Sequence, residues 1–214
     1  MPRALSSLIS LRGSAADERA CFRALRRANR CWGTIVRAFA GDPIAAHAEG
    51  CRYVRNKYSV SGPLSDIVIT TNGGYPLDQN VYQSVKGMSS AEPLCRQDGV
   101  IIMLAKCNDG IGGENFYHQI ADCSLIEDQL KAFRRRKRGE TLPDQWQSQI
   151  YFRVLNKARV ILVSDMPPEA VRKMKMYPAE DVSAALSLAE KLVGSADASV
   201  AIIPDGVSVI VSTK

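Results

Sequence analysis

Apolar and polar residues alternate in blocks along most of this chain. Residues 66–71 (DIVITT), 100–106 (VIIMLAK) and 159–164 (RVILVS) are short, near-continuous apolar runs. Strands buried on both faces read this way, as in parallel sheets. Segments of helical period lie between them, at about 79–91, 124–138 and 144–157, and another follows at about 180–193. The alternation predicts an α/β layered domain, with a mostly parallel central sheet flanked by helices and joined by right-handed crossovers. Upstream, residues 33–40 (GTIVRAFA) read as a strand, and Pro43 opens a helix to about Tyr58 with Asp42 as its N-cap. At the far end, SVAIIPDGVSVIVST reads as two strands joined by Pro204-Asp205-Gly206. That pattern predicts a C-terminal antiparallel hairpin at a sheet edge.

Residues 1–31 break the pattern. They are rich in Ser, Ala and Arg, and DERACFRALRRANR (17–30) offers a helix only a thin apolar stripe of Cys21, Phe22 and Leu25. We read 1–31 as a basic, weakly ordered extension, or a helix wanting a partner, and 32–214 as the main domain. Charge agrees with that division. The net charge is +6, and residues 1–31 hold seven arginines against Asp17 and Glu18, a surplus of +5. The main domain is therefore near neutral and unlike a nucleic-acid-binding body. LSSLISL is only seven residues long, and no apolar run approaches the roughly 18 needed to span a bilayer. Six cysteines with no CxxC pairing read as reduced thiols. Together these features imply a cytoplasmic protein with no membrane contact.

Candidate chemistry gathers where strands end, since ligands of open α/β sheets bind at the carboxyl edge. The first strand runs into Asn72-Gly73-Gly74-Tyr75-Pro76-Leu77-Asp78, and Asp78 is placed to cap the next helix. On that helix Val81, Val85 and Met88 form a core stripe, and Tyr82, Gln83 and Lys86 share the adjoining flank. Helical geometry alone makes this flank a solvated one. The second strand runs into Cys107-Asn108-Asp109-Gly110-Ile111-Gly112-Gly113, suited to an anion at backbone N–H groups or to a flexible turn. No Walker or dinucleotide fingerprint is present. Asp144 with Gln147 makes a capping-box pattern, and Trp146 between them is either core packing or a flat ligand surface. Asp165, after the third strand, reads as a cap. His47 and His118 lie far apart in sequence and read as packing or capping groups, with no metal site implied. The cluster Arg134-Arg135-Arg136-Lys137-Arg138 reads as a solvated helix end; without interleaved aromatics, nucleic-acid binding is disfavoured.

The string TNGGYPLDQNVYQSVKGM resembles the C-terminal domain of the nickel-dependent lactate racemase family. FAGDPIAAHAEGC before it, and CNDGIGG, PDQWQSQI and VILVSD after it, extend the resemblance over roughly residues 36–214. The resemblance implies racemisation or epimerisation of small 2-hydroxy acids by hydride transfer to a nickel-pincer nucleotide and back. It implies that Tyr82, Gln83 and Lys86 face substrate and cofactor in an interdomain cleft. There Lys86 would steady a carboxylate or alkoxide, Gln83 would orient, and Trp146 would form a water-excluding wall. Asn72, Gly73, Gly74, Asp109, Gly110 and Gly112 are candidates in the adjoining loops. The N-terminal domain of that family, which carries the histidine bases and the nickel, has no counterpart motif here. We therefore expect a C-terminal domain that is inactive without an N-terminal racemase domain on another chain. It would bind no metal or cofactor by itself, with Lys86 in a supporting role. The alternatives are a non-catalytic binding module for a small carboxylate or nucleotide, and a truncated remnant.

Overall fold

The computed structural model describes residues 6–12, 21–27 and 34–214. The chain forms two compact units, one of residues 1–60 with 208–210 and one of residues 61–207 with 211–214.

The first unit holds β1 (Ser6–Arg12), β2 (Cys21–Arg27), β3 (Thr34–Phe39) and α1 (Pro43–Tyr58). The three strands form an antiparallel sheet in the order β1-β2-β3, with Ser6 opposite Arg27 and Arg12 opposite Cys21. This corrects the helical reading of 17–30: Cys21–Arg27 is a strand, and the remaining residues of that segment lie outside the described ones. A short helix with a thin apolar stripe is marginal in water, whereas β2 finds backbone partners on both edges. The capped helix forms as read, because Asp42 Oδ1 accepts from the Ile44 and Ala45 amides at 3.0 and 2.9 Å. Phe39 and Ala46 pack with Tyr53 and Val54 beneath it.

The second unit is built on a parallel sheet. Its strands are β5 (Ser65–Thr71), β6 (Cys95–Leu104), β7 (Ala158–Val163), β8 (Tyr177–Ala179) and β9 (Val200–Ile203), in the order β8-β7-β6-β5-β9. The helices are α2 (Val81–Ala91), α3 (Glu114–Ala121), α4 (Ile126–Arg135), α5 (Gln145–Lys157), α6 (Pro168–Lys173) and α7 (Val182–Val193). Ile67, Val100, Ile102 and Ile161 face α7 through Ala185 and Ala189. Alternate residues point the other way, toward α2 and α5, so Ile101, Met103 and Leu162 are also fully buried. Each such side chain contributes roughly 1.5–3 kcal/mol, which is why the central strands read as unbroken apolar runs. The predicted α/β fold with its parallel sheet is the fold observed. Among the described residues Cys51, Cys95, Cys107 and Cys123 are free thiols, and no helix is long and apolar enough to cross a membrane.

The C-terminal hairpin does not form. β9 pairs in parallel with β5, from Ile67 opposite Val200 to Thr70 opposite Ile203. The last strand, β10 (Ile210–Thr213), pairs instead with β4 (Ser59–Gly62). The Pro204-Asp205-Gly206 turn is held by the end of β5: the Gly206 amide donates to the Thr71 carbonyl at 3.0 Å, and Thr71 Oγ1 donates to the Pro204 carbonyl at 2.8 Å. A lone hairpin is marginal; a strand added to an existing core is not. β9 remains an edge, with Val200 47% and Ile202 66% exposed.

One buried side chain ties β5 to α2. Asn72 Nδ2 donates to the Leu77 carbonyl and, at 2.8 Å, to the Gln83 carbonyl. Its Oδ1 accepts from the Gly87 amide at 2.9 Å. Gln83 and Gly87 are the two ends of one helical step, and a Cβ at Gly87 would lie 2.8 Å from Asn72 Oδ1. Only glycine allows the carboxamide this close. Asn72→Ala removes three hydrogen bonds between the end of β5 and the segment 77–87 and should destabilise the protein by about 2–4 kcal/mol, read from the urea unfolding midpoint.

Candidate functional site

Because β5, β6 and β7 are parallel, the loops that follow them meet at one edge of the sheet. The start of α2 is seated there by the loop after β6. Asn80 is the N-cap, its Oδ1 accepting from the Gln83 amide at 2.9 Å. The Val81 and Tyr82 amides donate to the Gly110 and Ile111 carbonyls at 3.1 and 2.9 Å, and the Ser84 amide donates to the Asn80 carbonyl. Asp78 is therefore not the cap; its carbonyl instead accepts from the Cys107 amide at 2.9 Å. The first amides of α2 are occupied by protein carbonyls, so the glycine-rich loop braces that helix. Gly112 shows how tightly: its φ is +86°, and a Cβ there would lie 2.4 Å from the Asn80 carboxamide. Asp109 accepts from Asn80 Nδ2 at 3.4 Å, and its amide donates to the Gln79 carbonyl at 2.8 Å. Gly110 donates to the Cys107 carbonyl. Gly73 and Gly74 form the left-handed turn into α2, where the Gly73 amide donates to Thr71 Oγ1 and the Leu77 amide to the Gly74 carbonyl.

Val81, Val85 and Met88 face the core as read, at 0–1% exposure. That burial turns the opposite flank of α2 outward. Lys86 is exposed, and its Nζ donates to Gln83 Oε1 at 2.5 Å. Tyr82 is half-buried between the edges of Phe116 and Trp146, with ring centroids 5.3 and 6.2 Å away. Trp146 is 55% exposed, so it is a surface ring and not a core one. The start of α5 departs from the capping-box reading. Asp144 has φ +59°, and its side chain makes no cap hydrogen bond. Its Oδ1 accepts from the Tyr82 hydroxyl at 3.1 Å, while Gln147 Nε2 donates to the Tyr82 carbonyl at 2.6 Å. Burial, and then the Asp144 carboxylate, hold the Tyr82 phenol above its ordinary pKa. The structure thus gathers Tyr82, Gln83, Lys86 and Trp146 on one flank and adds Asp144. No sequence signal links Asp144 to Tyr82, because they lie 62 residues apart.

Residues 60–211 match the family described as lactate racemase C-terminal domain. The chain belongs to that family. It is 49% identical over 181 residues to the lactate racemase of Thermoanaerobacterium thermosaccharolyticum, covering 84% of this chain and 42% of the relative. The lactate racemase of Lactiplantibacillus plantarum is 46% identical over 178 residues, again covering 42% of its own length. The apoprotein structure of the Thermoanaerobacterium enzyme superposes with a TM-score of 0.78 over 83% of this chain and 42% of that one. This chain therefore spans less than half the length of these relatives.

The remaining candidates lie apart from this flank. His47 is exposed beside Cys51, and His118 is exposed with Nδ1 3.0 Å from Asp122, so neither packs in the core. Among the described residues no three His, Cys, Asp or Glu side chains come together as a metal site. Asp165 is not a cap: α6 begins after Pro167, and Asp165 stands 3.9 Å from Lys106. Arg134 and Arg135 close α4, and Arg136 covers the Phe133 ring at 5.9 Å. The side chain of Arg138 lies outside the described residues.

Burial pushes the thiols of Cys107, at the site, and Cys95 up to about 11 from an ordinary 9.0. Neither is a nucleophile at neutral pH. A raised folded-state pKa gives stability that is intact below pH 9 and lost as pH rises toward 11, because the unfolded thiols ionise first. The urea midpoint should fall across that window, and the fall should be shallower in Cys95→Ala and Cys107→Ala.

Proposed function

We propose that this chain forms the C-terminal wall of a 2-hydroxyacid racemase acting on lactate, and that it turns over substrate only with the portion of its relatives that it does not cover. The observation that carries this is the outward flank of half-buried Tyr82 and Gln83 with exposed Lys86 and Trp146 at the carboxyl edge of the sheet, in a chain of the lactate racemase family. The Lys86 ammonium has three donors, and one goes to Gln83. The others are available to a substrate carboxylate or to a developing alkoxide.

Magnitudes explain why the flank needs a cover. A charge pair at about 4 Å is worth about 1 kcal/mol in bulk water and about 4 kcal/mol at an effective dielectric constant near 20. Lys86 on an open surface is near the lower figure. An N-terminal racemase domain laid over the flank, from the same polypeptide or a partner chain, would remove water and raise it. Trp146 and the Tyr82 ring supply the apolar part of that enclosure. The reading implies a nickel-pincer nucleotide in the whole enzyme and a cytoplasmic setting. The described residues do not fit a nickel centre, since they bring no three donors together. The work of this chain is then to hold the carboxylate, orient the substrate and exclude water.

Chiral analysis of lactate incubated with this chain and added cofactor should give no racemisation. Joining the chain to the uncovered portion of the Thermoanaerobacterium relative should restore it. In that assembly Lys86→Ala should lower kcat/KM about 100-fold, equivalent to about 2.7 kcal/mol. Unaided racemisation by the chain, or an unimpaired Lys86→Ala enzyme, would refute the reading.

A further inference from the structure

We propose that α4 is a self-pairing surface: two copies of this chain associate through antiparallel α4 helices about a twofold axis near Leu130, with Glu127 of each copy against Arg134 of the other. The inference goes beyond the racemase reading and does not depend on it.

α4 lies beside α5 along an open groove of about 500 Å³, in which Leu130 and Arg134 meet Ile150 and Arg153. Trp146 forms the end of the groove next to Tyr82. Leu130 and Ile150 are half-buried, while Arg134 and Arg153 are exposed. On the α5 side the charge is already matched, since Arg153 donates to Glu92 and stands 2.7 Å from it. On the α4 side it is not. Glu127 and Arg134 have no ion-pair partner among the described residues, whereas Lys131 is paired with Asp128 of the same helix at 3.3 Å.

At 100° per residue, Glu127, Leu130 and Arg134 fall within about 60° of one another. They form one stripe along the groove side of α4, and it reads acid, apolar, base. The midpoint of Glu127 and Arg134 falls between Leu130 and Lys131. A twofold axis there lays the stripe on its own reverse, so Leu130 meets Leu130 and each acid meets a base. A closed dimer requires this kind of self-complementary patch. An acid early and a base late also suit the dipole of a single helix. The open apolar groove beside the stripe is what a single helix does not need. Lys131, the other charge near the axis, is matched by Asp128 and leaves little repulsion at the crossing.

The size of the contact sets its strength. α4 has ten residues, about 15 Å of helix at 1.5 Å per residue. A contact of that length belongs to the small, reversible class of interface, below about 1,200 Å². Apolar burial at Leu130 and Ile150 supplies attraction. The exposed charge pairs are worth little singly and serve to fix the antiparallel register.

The test is sedimentation velocity of the full chain from micromolar to millimolar concentration. The average mass should rise with concentration from 23.4 kDa toward twice that value. Arg134→Glu and Glu127→Arg each set like charges against each other at both contacts, and each alone should weaken association about tenfold. An equimolar mixture of the two variants should associate like the wild type. In the mixed dimer the native Glu127 and Arg134 meet at one contact, and the two introduced charges, of opposite sign, meet at the other. Circular dichroism checks that each variant keeps its helix content. Where a charge reversal fails to fold, Arg134→Gln and Glu127→Gln take its place, and each should weaken association several-fold. A mass that stays at 23.4 kDa at every concentration overturns the proposal. So do variants that associate like the wild type, or a mixture of folded variants that stays apart. Mass and not turnover is read, so none of these outcomes bears on the racemase reading.

Discussion

The buried carboxamide of Asn72 joins the sheet to the helix that carries the candidate site. It sits at the end of β5 and grips both ends of one hydrogen-bonded step in α2, at the Gln83 carbonyl and the Gly87 amide. A buried amide with its partners in place adds modest stability, but one with a partner removed is costly. The clamp therefore fixes the rotation of α2 about its own axis. With that rotation fixed, Val81, Val85 and Met88 must face the core, and Tyr82, Gln83 and Lys86 must face out. Gly87 is part of the same device, since any side chain there would collide with the carboxamide.

The second constraint is the use of polar groups at the carboxyl edge of the sheet. Helix N-termini in α/β proteins often serve anions. Here the loop after β6 turns its Gly110 and Ile111 carbonyls onto the first amides of α2, and Asn80 takes another. The helix is anchored by the groups that elsewhere would bind phosphate. The outward side chains of α2 are paired separately: Lys86 Nζ donates to Gln83 Oε1, and the Tyr82 hydroxyl donates to Asp144 Oδ1.

Much of this was legible in the sequence. The apolar runs of β5, β6 and β7 announce strands buried on both faces, because both layers of helices draw on them. The Val81, Val85 and Met88 stripe and the Asp42 cap are equally local, depending on residues within one or two turns. The collinear motifs carried the family. Other features depended on distant partners. Pro204-Asp205-Gly206 looks like a hairpin, but β5 offered a free edge and the hydrogen-bonding groups of Thr71. Asp144 and Gln147 look like a capping box, but Tyr82 lay within reach of both.

The sequence by itself determined the layered α/β class, the inward stripe of α2 and membership of the lactate racemase C-terminal family, since periodicity and motif order are local properties. Tertiary structure decided where β9 and β10 pair, that the glycine-rich loop braces a helix, that Trp146 lies at the surface, and that Asp144 serves Tyr82. Each of those outcomes is a competition for a hydrogen-bond partner or an apolar surface. The winner in each case comes from a segment remote in the chain, which no local pattern encodes.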